Sequence, residues 1–313
     1  MIIVTGGAGF IGSNLVHALN AAGYGDILIV DDLTDARKHL NLSGARFTDY
    51  MDRDEFPARF ASLGKVDAVF HQGACAVTTE QDGRYMMRVN YSSSRDLLHQ
   101  CLARKVPFIY ASSAAVYGHG STPFTETEAH EKPLNVYGFS KLAFDQHVRA
   151  LLAKAESPVT GLRYFNVYGP REDHKGDMAS VIFKMAGAYA RGEPLKLFSG
   201  SEGFRRDFIH VEDIVSVNLH FLRRPQSGIY NCGTGVARSF RDLGEAVRSR
   251  LPGATIQQIE MPPALERQYQ KFTSSDNSRL LATGYNAQFL TLEAGVEKYV
   301  AELARAGGFA KLN

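Results

Sequence analysis

The fold of this chain is decided near its N-terminus by the stretch Ile2-Ile3-Val4-Thr5-Gly6-Gly7-Ala8-Gly9-Phe10-Ile11-Gly12. Its apolar residues predict a buried strand, and the glycines that follow have the spacing Gly-x-x-Gly-x-x-Gly. The first glycine of such a loop permits a tight turn, the second lets the backbone approach a pyrophosphate, and the third allows close helix packing. The next helix directs its N-terminus at the phosphates. The stretch therefore predicts a dinucleotide site with contacts from Gly6, Gly9, Phe10, Ile11 and Gly12.

The strand pattern continues along the first half of the chain. Short apolar runs recur at residues 27–30, 66–70 and 107–110, separated by segments of helical length. Strands that lack alternation and lie between helices are typical of a buried parallel sheet. We therefore expect an α/β fold, a Rossmann-type doubly wound parallel sheet with a second, smaller α/β substrate-binding domain. We place the dinucleotide-binding domain at residues 1–166, with a return of the chain to it around 207–234, and the substrate-binding domain at 167–313.

Composition and charge argue against several functional classes. The 313 residues have a net charge of +2, with 22% charged and 44% hydrophobic residues, as is ordinary for a soluble globular enzyme. Massed basic residues that would indicate nucleic acid are lacking, and so is an apolar run of the roughly 20 residues that span a membrane. Three widely spaced cysteines suggest neither a disulfide framework nor a metal site. With no signal peptide at the first residues, we expect a cytoplasmic protein without a metal.

Residues after the second strand bear on the choice of cofactor. Asp31 and Asp32 stand where an acidic residue usually binds the adenosine ribose, which alone favours NAD. Arg37 and Lys38 follow in the same loop, however, and a cation there neutralises a 2′-phosphate, so we predict NADP over NAD. Further cofactor contacts are expected beside the adenine and in a small-residue turn after the fourth strand, from Arg53, Gln72, Gly73 and Ala74.

The stretch Tyr137-Gly138-Phe139-Ser140-Lys141 sets a phenol and an ammonium four residues apart. On a helix these two positions share one face, so Lys141 would hold positive charge near Tyr137. A nearby cation lowers the pKa of a tyrosine from its usual value of about 10. The pair therefore predicts a general base. Ser113 lies upstream at the carboxyl end of a strand, beside the cofactor crevice.

The glycine loop, the strand-end serine and the Tyr-x-x-x-Lys pair together resemble the extended short-chain dehydrogenase/reductase family of the nucleotide-sugar kind. Within that family, the ADP-L-glycero-D-manno-heptose 6-epimerases are similar to this chain in the run Arg163-Tyr164-Phe165-Asn166-Val167-Tyr168-Gly169-Pro170-Arg171-Glu172-Asp173-His174-Lys175-Gly176. Cys75, Thr78-Thr79-Glu80 and Arg267-Gln268-Tyr269-Gln270 extend the similarity over essentially the whole chain. The resemblance implies epimerisation of ADP-D-glycero-D-manno-heptose at C6, for the inner core of lipopolysaccharide.

The resemblance also implies a mechanism. Bound NADP takes hydride from C6 to give a transient 6-keto sugar, and the same hydride returns to the other face. By resemblance Ser113 hydrogen-bonds the reacting oxygen, Tyr137 exchanges its proton, and Lys141 binds the nicotinamide ribose. Lys175 is then the second acid/base that inversion requires. Further implied contacts are to the cofactor from Cys75, Ala76, Val167 and Lys175, and to the substrate from Ser113, Asn166, Asp177, Lys184, Phe198, Ser199, Gly200, Ser201, Arg206 and Tyr269. Members of the family are homo-oligomers, often pentamers.

Two other functions stay open at this point. Another nucleotide-sugar epimerase, such as a UDP-hexose 4-epimerase, would share the serine, the tyrosine and Lys141 but would not need Lys175. A non-catalytic NADP-binding protein is the second alternative, although such proteins commonly lose the tyrosine or the lysine. A dehydratase is disfavoured because Ala114-Ala115 stand where that class carries an Asp-Glu pair. The chain departs from the heptose epimerases at Gln72, Val89, Asp177 and Lys184, which puts the roles of the last two in doubt.

Overall fold

The computed structural model describes residues 1–262 and 270–305. Its strands, in chain order, are β1 Ile2–Thr5, β2 Ile27–Asp31, β3 Asp49–Asp52, β4 Ala68–His71, β5 Phe108–Ser113, β6 Val159–Tyr164, β7 Asn166–Tyr168, β8 Leu195–Phe198, β9 Arg205–His210, β10 Gly228–Cys232, β11 Ala237–Ser239 and β12 Ile256–Ile259. Its α-helices are α1 Phe10–Ala21, α2 Phe56–Arg59, α3 Gly83–Met86, α4 Ser93–Ala103, α5 Val136–Leu152, α6 Val181–Ala190, α7 Val211–Arg223, α8 Phe240–Arg248, α9 Ser278–Ala282 and α10 Leu292–Arg305.

The main sheet has seven parallel strands in the order β10-β6-β5-β4-β1-β2-β3. Strand β1 pairs with β2 on one side and with β4 on the other, so the direction of strand succession reverses there. In open α/β sheets, ligands bind beyond the carboxyl ends of the strands at such a reversal. The predicted doubly wound parallel sheet is confirmed, and its crevice lies at the glycine loop that follows β1.

Helices cover both faces of this sheet, as the continuous apolar strands predict. Side chains of a strand alternate between the two faces, and Ile2 and Val4 pack in one buried cluster with α1 and α7. Ile3 packs in a second cluster on the opposite face, with α4 and α5. Because both faces of β1 are fully covered, the loop after it is held in place from both sides.

The rest of the described chain forms a smaller α/β unit. Strands β11, β9 and β7 form a three-stranded sheet, and β12 pairs with β8. Around them α6, α8 and α10 enclose an apolar cluster that includes Leu195, Leu243 and Val296. The chain does not stay in this unit, because α7 packs on α1 and β10 pairs with β6 in the main sheet. The domain boundary at residue 166 stays a prediction.

No helix within the two described ranges is long and apolar enough to cross a membrane.

Candidate active site

The glycine loop is packed so tightly that two of its positions require glycine. Gly6 has a φ of +66°, and a Cβ there would lie 2.6 Å from the backbone nitrogen of Gly73. A Cβ on Gly12 would lie 2.0 Å from the carbonyl oxygen of Gly6. The loop leads through Gly9, which caps α1, into Phe10 and Ile11 in the first helical turn. This backbone cradle fits a pyrophosphate at the N-terminus of a helix.

The carboxyl end of β2 fixes this loop and presents charge beside it. Asp31 accepts a hydrogen bond from the backbone N–H of Ala8 at 2.7 Å, and Lys38 donates to its other oxygen at 2.9 Å. Asp32 is flanked by Arg53 at 2.6 Å and by Lys38 at 3.5 Å. Burial would raise the pKa of Asp32, but the two cations outweigh burial and hold it below its usual value. Asp31 thus braces the loop, while Asp32 stands among cations at the ribose position.

The turn after β4, residues 72–76, is held by an asparagine that the sequence did not single out. Asn90 is 1% exposed; its amide accepts from the N–H of Cys75 at 2.8 Å and donates to the carbonyl of the same residue at 3.0 Å. It also donates to the Ser140 hydroxyl on α5 at 3.1 Å. Asn90 lies in the π-helical segment Met87–Ser92, a geometry that frequently marks functional sites. The sequence carries no local signal for this contact.

Gln72 opens the same turn and points toward β6. Its side-chain oxygen accepts a hydrogen bond from the hydroxyl of Tyr164 at 3.1 Å. Gly73 donates its N–H to the Thr5 hydroxyl at 3.2 Å, which ties the turn to the end of β1. The turn Gln72-Gly73-Ala74-Cys75-Ala76 therefore runs directly beside the glycine loop, as expected for a cofactor-binding segment.

Tyr137 and Ser113 are brought together by a close approach of α5 to the end of β5. The Ser113 side chain lies near enough to the Tyr137 hydroxyl to lower the pKa of the phenol against the effect of burial. A Cβ on Gly138 would lie 2.2 Å from the carbonyl oxygen of Ala115, so only glycine allows this approach. A glycine inside a helix lowers the stability of the helix by about 1 kcal/mol relative to alanine. The presence of Gly138 in a helical stretch is therefore the sequence signal that indicates a close contact there.

Lys141 lies one turn further along α5 and is 6% exposed. Its ammonium donates to the carbonyl oxygen of Ala111 at 2.9 Å. Burial lowers the pKa of Lys141 to about 8, against the opposing charge of Asp145. The expectation that Lys141 lowers the pKa of Tyr137 is wrong in this structure. Burial raises the pKa of Tyr137, and the opposing effect comes from the Ser113 side chain.

A buried ionic network supports these residues from behind. Asp145 is fully buried and accepts hydrogen bonds from the hydroxyls of Tyr110 and Ser112, at 2.8 and 2.9 Å, and from the guanidinium of Arg163 at 2.8 Å. Sequence reasoning missed Asp145, although its position four residues after Lys141 puts it on the same helical face. With three donors, this buried carboxylate is well compensated.

Lys175 lies in a short turn after β7 and reaches Phe10 at the start of α1. Its Nζ lies 4.8 Å from the centre of the Phe10 ring and 3.7 Å from Glu172. Burial lowers the pKa of Lys175, Glu172 opposes this shift, and Lys184 adds to it. A lowered pKa is the direction that a proton acceptor needs.

The remaining predicted site residues lie mostly in the smaller unit. Asn166 and Val167 lie on β7, which pairs with β9 where Arg206 is 6% exposed. Phe198 ends β8, and the following Ser199-Gly200-Ser201 turn leads to β9; the buried Ser201 hydroxyl has no partner within the described residues. Lys184 donates to the backbone carbonyl of Asp177 at 2.7 Å, and both are exposed. Tyr269 lies outside the described residues.

Comparison with known proteins agrees with this geometry. The family described as the NAD dependent epimerase/dehydratase family matches residues 2–233. The solved structure of the Helicobacter pylori ADP-L-glycero-D-manno-heptose-6-epimerase is similar at 31% identity and a TM-score of 0.86, over 96% of this chain and 95% of that one.

Structures of UDP-sugar epimerases are also similar. The UDP-glucose 4-epimerase of Thermotoga maritima with UDP-glucose matches at 26% identity and a TM-score of 0.83, over 97% of this chain and 99% of that chain. The UDP-glucose 4-epimerase of Thermus thermophilus in complex with NAD matches at 26% identity and a TM-score of 0.81, again over 97% and 99%. The match to residues 2–233, the parallel sheet and the Ser113–Tyr137 contact agree, and the chain therefore belongs to the NAD dependent epimerase/dehydratase family.

Proposed function

We propose that this chain epimerises ADP-D-glycero-D-manno-heptose at C6 to the L-glycero form, through a transient 6-keto sugar, in synthesis of the lipopolysaccharide inner core. The observation that carries the proposal is the position of Lys175, whose ammonium lies against Phe10 at the start of the cofactor helix. A 4-epimerase would not need a lysine there. The 31% identity to the Helicobacter pylori enzyme supports the same substrate.

The proposed cofactor is NADP, and the cradle around Gly6 and Gly12 fits its pyrophosphate. Arg53 and Lys38 flank Asp32, and two cations at the ribose position favour a 2′-phosphate over a free hydroxyl. Arg37, in contrast, pairs with Asp35 at 2.7 Å on the surface. The other proposed contacts are from Gly9, Phe10, Ile11, Asp31, Gln72, Gly73, Ala74, Cys75, Ala76, Lys141, Val167 and Lys175.

Proton transfer is assigned to three side chains on two sides of the crevice. Bound NADP would supply the acceptor and donor of hydride. Ser113 would hold the reacting oxygen, and the neighbouring Tyr137 would exchange a proton on one face of the sugar carbon. Lys175 would serve the opposite face, because inversion moves the hydroxyl to where a single phenol does not reach. Its lowered pKa supports that role.

Substrate binding is assigned to the smaller unit. Arg206 lies on β9, and its guanidinium would fork onto the diphosphate. Asn166 would bind an oxygen of the nucleotide-sugar near Ser113. The remaining proposed contacts are from Phe198, Ser199, Gly200, Ser201 and Tyr269. Asp177 and Lys184, in and after the turn that carries Lys175, are proposed as well. Assembly into a homo-oligomer, a pentamer by family resemblance, is proposed as well and is measurable by native mass spectrometry.

Proton NMR of purified protein tests the reaction directly. ADP-D-glycero-D-manno-heptose and UDP-galactose are incubated in separate tubes, and we expect only the first to be epimerised. Nicotinamide absorbance should not change in bulk with turnover, because the hydride returns to the sugar that gave it. Epimerisation of the UDP sugar alone would assign the chain to the 4-epimerases, and a net absorbance change would assign it to the dehydrogenases.

A matched pair of variants tests the role of Lys175. Lys175→Met should slow epimerisation by a factor of about 100 or more while the cofactor stays bound. Lys154→Met, which removes an exposed lysine at the end of α5, should leave turnover unchanged. Near-normal turnover in Lys175→Met would remove Lys175 from the mechanism.

A further inference from the structure

The side chain of Asn166, on β7, has a donor group that no acceptor among the described residues uses. Tyr164, two residues earlier in the chain, is in register with Ser113 on the neighbouring strand. Asn166 is partly exposed, and its Oδ1 accepts a hydrogen bond from the hydroxyl of Thr273 at 3.2 Å. Within the described residues its Nδ2 has no protein acceptor. The amide therefore has two hydrogens left to offer to a ligand.

The hydroxyl of Thr273 decides which end of this amide is left for a ligand. Thr273 is 1% exposed, and its Oγ1 accepts the backbone N–H of Asp207 at 3.1 Å. A hydroxyl has a single hydrogen to donate, and across residues 1–262 and 270–305 the acceptor it reaches is Oδ1 of Asn166. If the amide were turned over, this buried hydrogen would have no acceptor, and buried polar groups are almost always paired. The pairing therefore leaves Nδ2 as the unpaired end of the amide.

Asp207 makes the whole arrangement rigid. Its fully buried carboxylate accepts hydrogen bonds from the N–H and hydroxyl of Thr234, both at 2.7 Å, from the N–H of Gly235 at 3.0 Å, and from the N–H and hydroxyl of Ser275, at 2.9 and 2.7 Å. Thr273 itself donates its backbone N–H to the carbonyl of Arg205 at 3.0 Å. Hydrogen bonds therefore fix both Thr273 and the residue Asp207, whose backbone N–H donates to the Thr273 hydroxyl.

We propose that Thr273 is a positioning residue, which holds the Asn166 amide so that its Nδ2 donates to an acceptor oxygen of the nucleotide-sugar. This inference rests on the proposed function for the identity of the ligand. The acceptor is an oxygen of the diphosphate or of the sugar, and the site selects against a ligand that presents only a donor there. Thr273 acts through Asn166 and does not itself touch the substrate.

A double-mutant cycle separates this role from a merely structural one. Thr273→Val should raise KM roughly five- to tenfold, with kcat changed less than threefold, and Thr273→Ser should restore KM. In an Asn166→Ala background, Thr273→Val should change KM no further. Thr160→Val removes another buried threonine hydroxyl, bonded to the Gln226 carbonyl at 2.6 Å, and should leave KM unchanged. Equal effects of Thr273→Val in both backgrounds would overturn the proposal.

A second variant leaves Thr273 intact in case Thr273→Val does not fold. Asn166→Asp still accepts the Thr273 hydroxyl but turns a carboxylate oxygen toward the ligand, where an amide donor stood. We expect its KM to exceed that of Asn166→Ala by about tenfold. A KM equal to or lower than that of Asn166→Ala would refute the donor orientation.

Binding measurements keep this test apart from that of the proposed reaction. Calorimetry compares ADP and ADP-D-glycero-D-manno-heptose on the wild type and on Thr273→Val. A loss of affinity for both ligands assigns the acceptor to the diphosphate, and a loss for the sugar nucleotide alone assigns it to the sugar. Either result supports the proposal even if no epimerisation is seen, in which case the proposed function alone fails.

A readout that needs no ligand completes the design. In protein labelled with ¹⁵N-asparagine, the side-chain resonances of Asn166 are assigned by their absence in Asn166→Asp. Their order parameter should fall in Thr273→Val and be retained in Thr273→Ser. If the order parameter in Thr273→Val equals that of the wild type, Thr273 does not orient the amide.

Discussion

Gly138→Ala should inactivate the enzyme without unfolding it. The added Cβ would lie 2.2 Å from the Ala115 carbonyl oxygen, and since contacts below about 3 Å are excluded, the first turn of α5 must retreat by roughly 1 Å. A displacement of that size between catalytic groups costs about 100-fold in rate, because Tyr137 leaves Ser113. Stability should change less, since the clash costs about 1–3 kcal/mol and the helical preference for alanine returns about 1 kcal/mol.

The assay compares kcat from NMR-detected epimerisation with the free energy of unfolding in urea. Gly83→Ala is the matched control, because its Cβ would meet nothing closer than a Val136 methyl at 3.6 Å. We expect kcat of Gly138→Ala to fall about 100-fold with cofactor affinity retained, and Gly83→Ala to behave as wild type. If Gly138→Ala is folded and its kcat lies within threefold of wild type, the contact with Ala115 does not set the Tyr137–Ser113 distance.

Three further changes test groups around the site. Burial raises the pKa of Asp213 to about 6, so the folded state binds more protons than the unfolded state between about pH 4 and pH 6, and stability falls as pH rises through that window. Asp213→Asn should therefore raise the free energy of unfolding at pH 7 by about 2 kcal/mol, with no gain near pH 3.5; a gain at both pH values would contradict this. Asp145→Asn should lower that free energy by about 3 kcal/mol, because it removes one of the two carboxylates that pair with the buried guanidinium of Arg163, whereas Glu156→Gln at an exposed pair should not change it; equal losses would refute the difference. Arg53→Gln should weaken NADP about tenfold in fluorescence titrations and spare NAD; an equal loss for both would remove Arg53 from the 2′-phosphate site.

The main sheet and the glycine loop could be predicted because their causes are local. A strand covered on both faces has to be continuously apolar, as Ile2-Ile3-Val4 is, and a backbone cradle has to use glycine where a Cβ would collide. A Cβ on Gly6 would lie 2.6 Å from a backbone atom, and a Cβ on Gly12 would lie 2.0 Å from one. Such requirements leave a direct trace in the residue types, so the stretch was sufficient to predict the crevice.

The contacts that assemble the catalytic groups could not be predicted, because they join segments distant in sequence. Asn90 bonds to Cys75, fifteen residues before it, and to Ser140, fifty residues after it. Asp145 bonds to Arg163 on a neighbouring strand. The residue types involved are ordinary on helices. Only the crossing of α5 with the turn after β4 gives them their role, and a pattern of spacing does not contain that crossing.

The sign of the pKa shifts is the clearest case of information that spacing lacks. The four-residue spacing of Tyr137 and Lys141 places both side chains on one helical face. If both groups stayed hydrated, the charge of Lys141 would lower the pKa of Tyr137. Burial removes that water, raises the pKa of Tyr137 and lowers those of Lys141 and Lys175, so each shifts toward its neutral form. A neutral phenol is ready to donate and a neutral amine to accept. For the proposed inversion, burial therefore shifts the pKa values of Tyr137 and Lys175 in the directions that suit a phenol that donates a proton and an amine that accepts one.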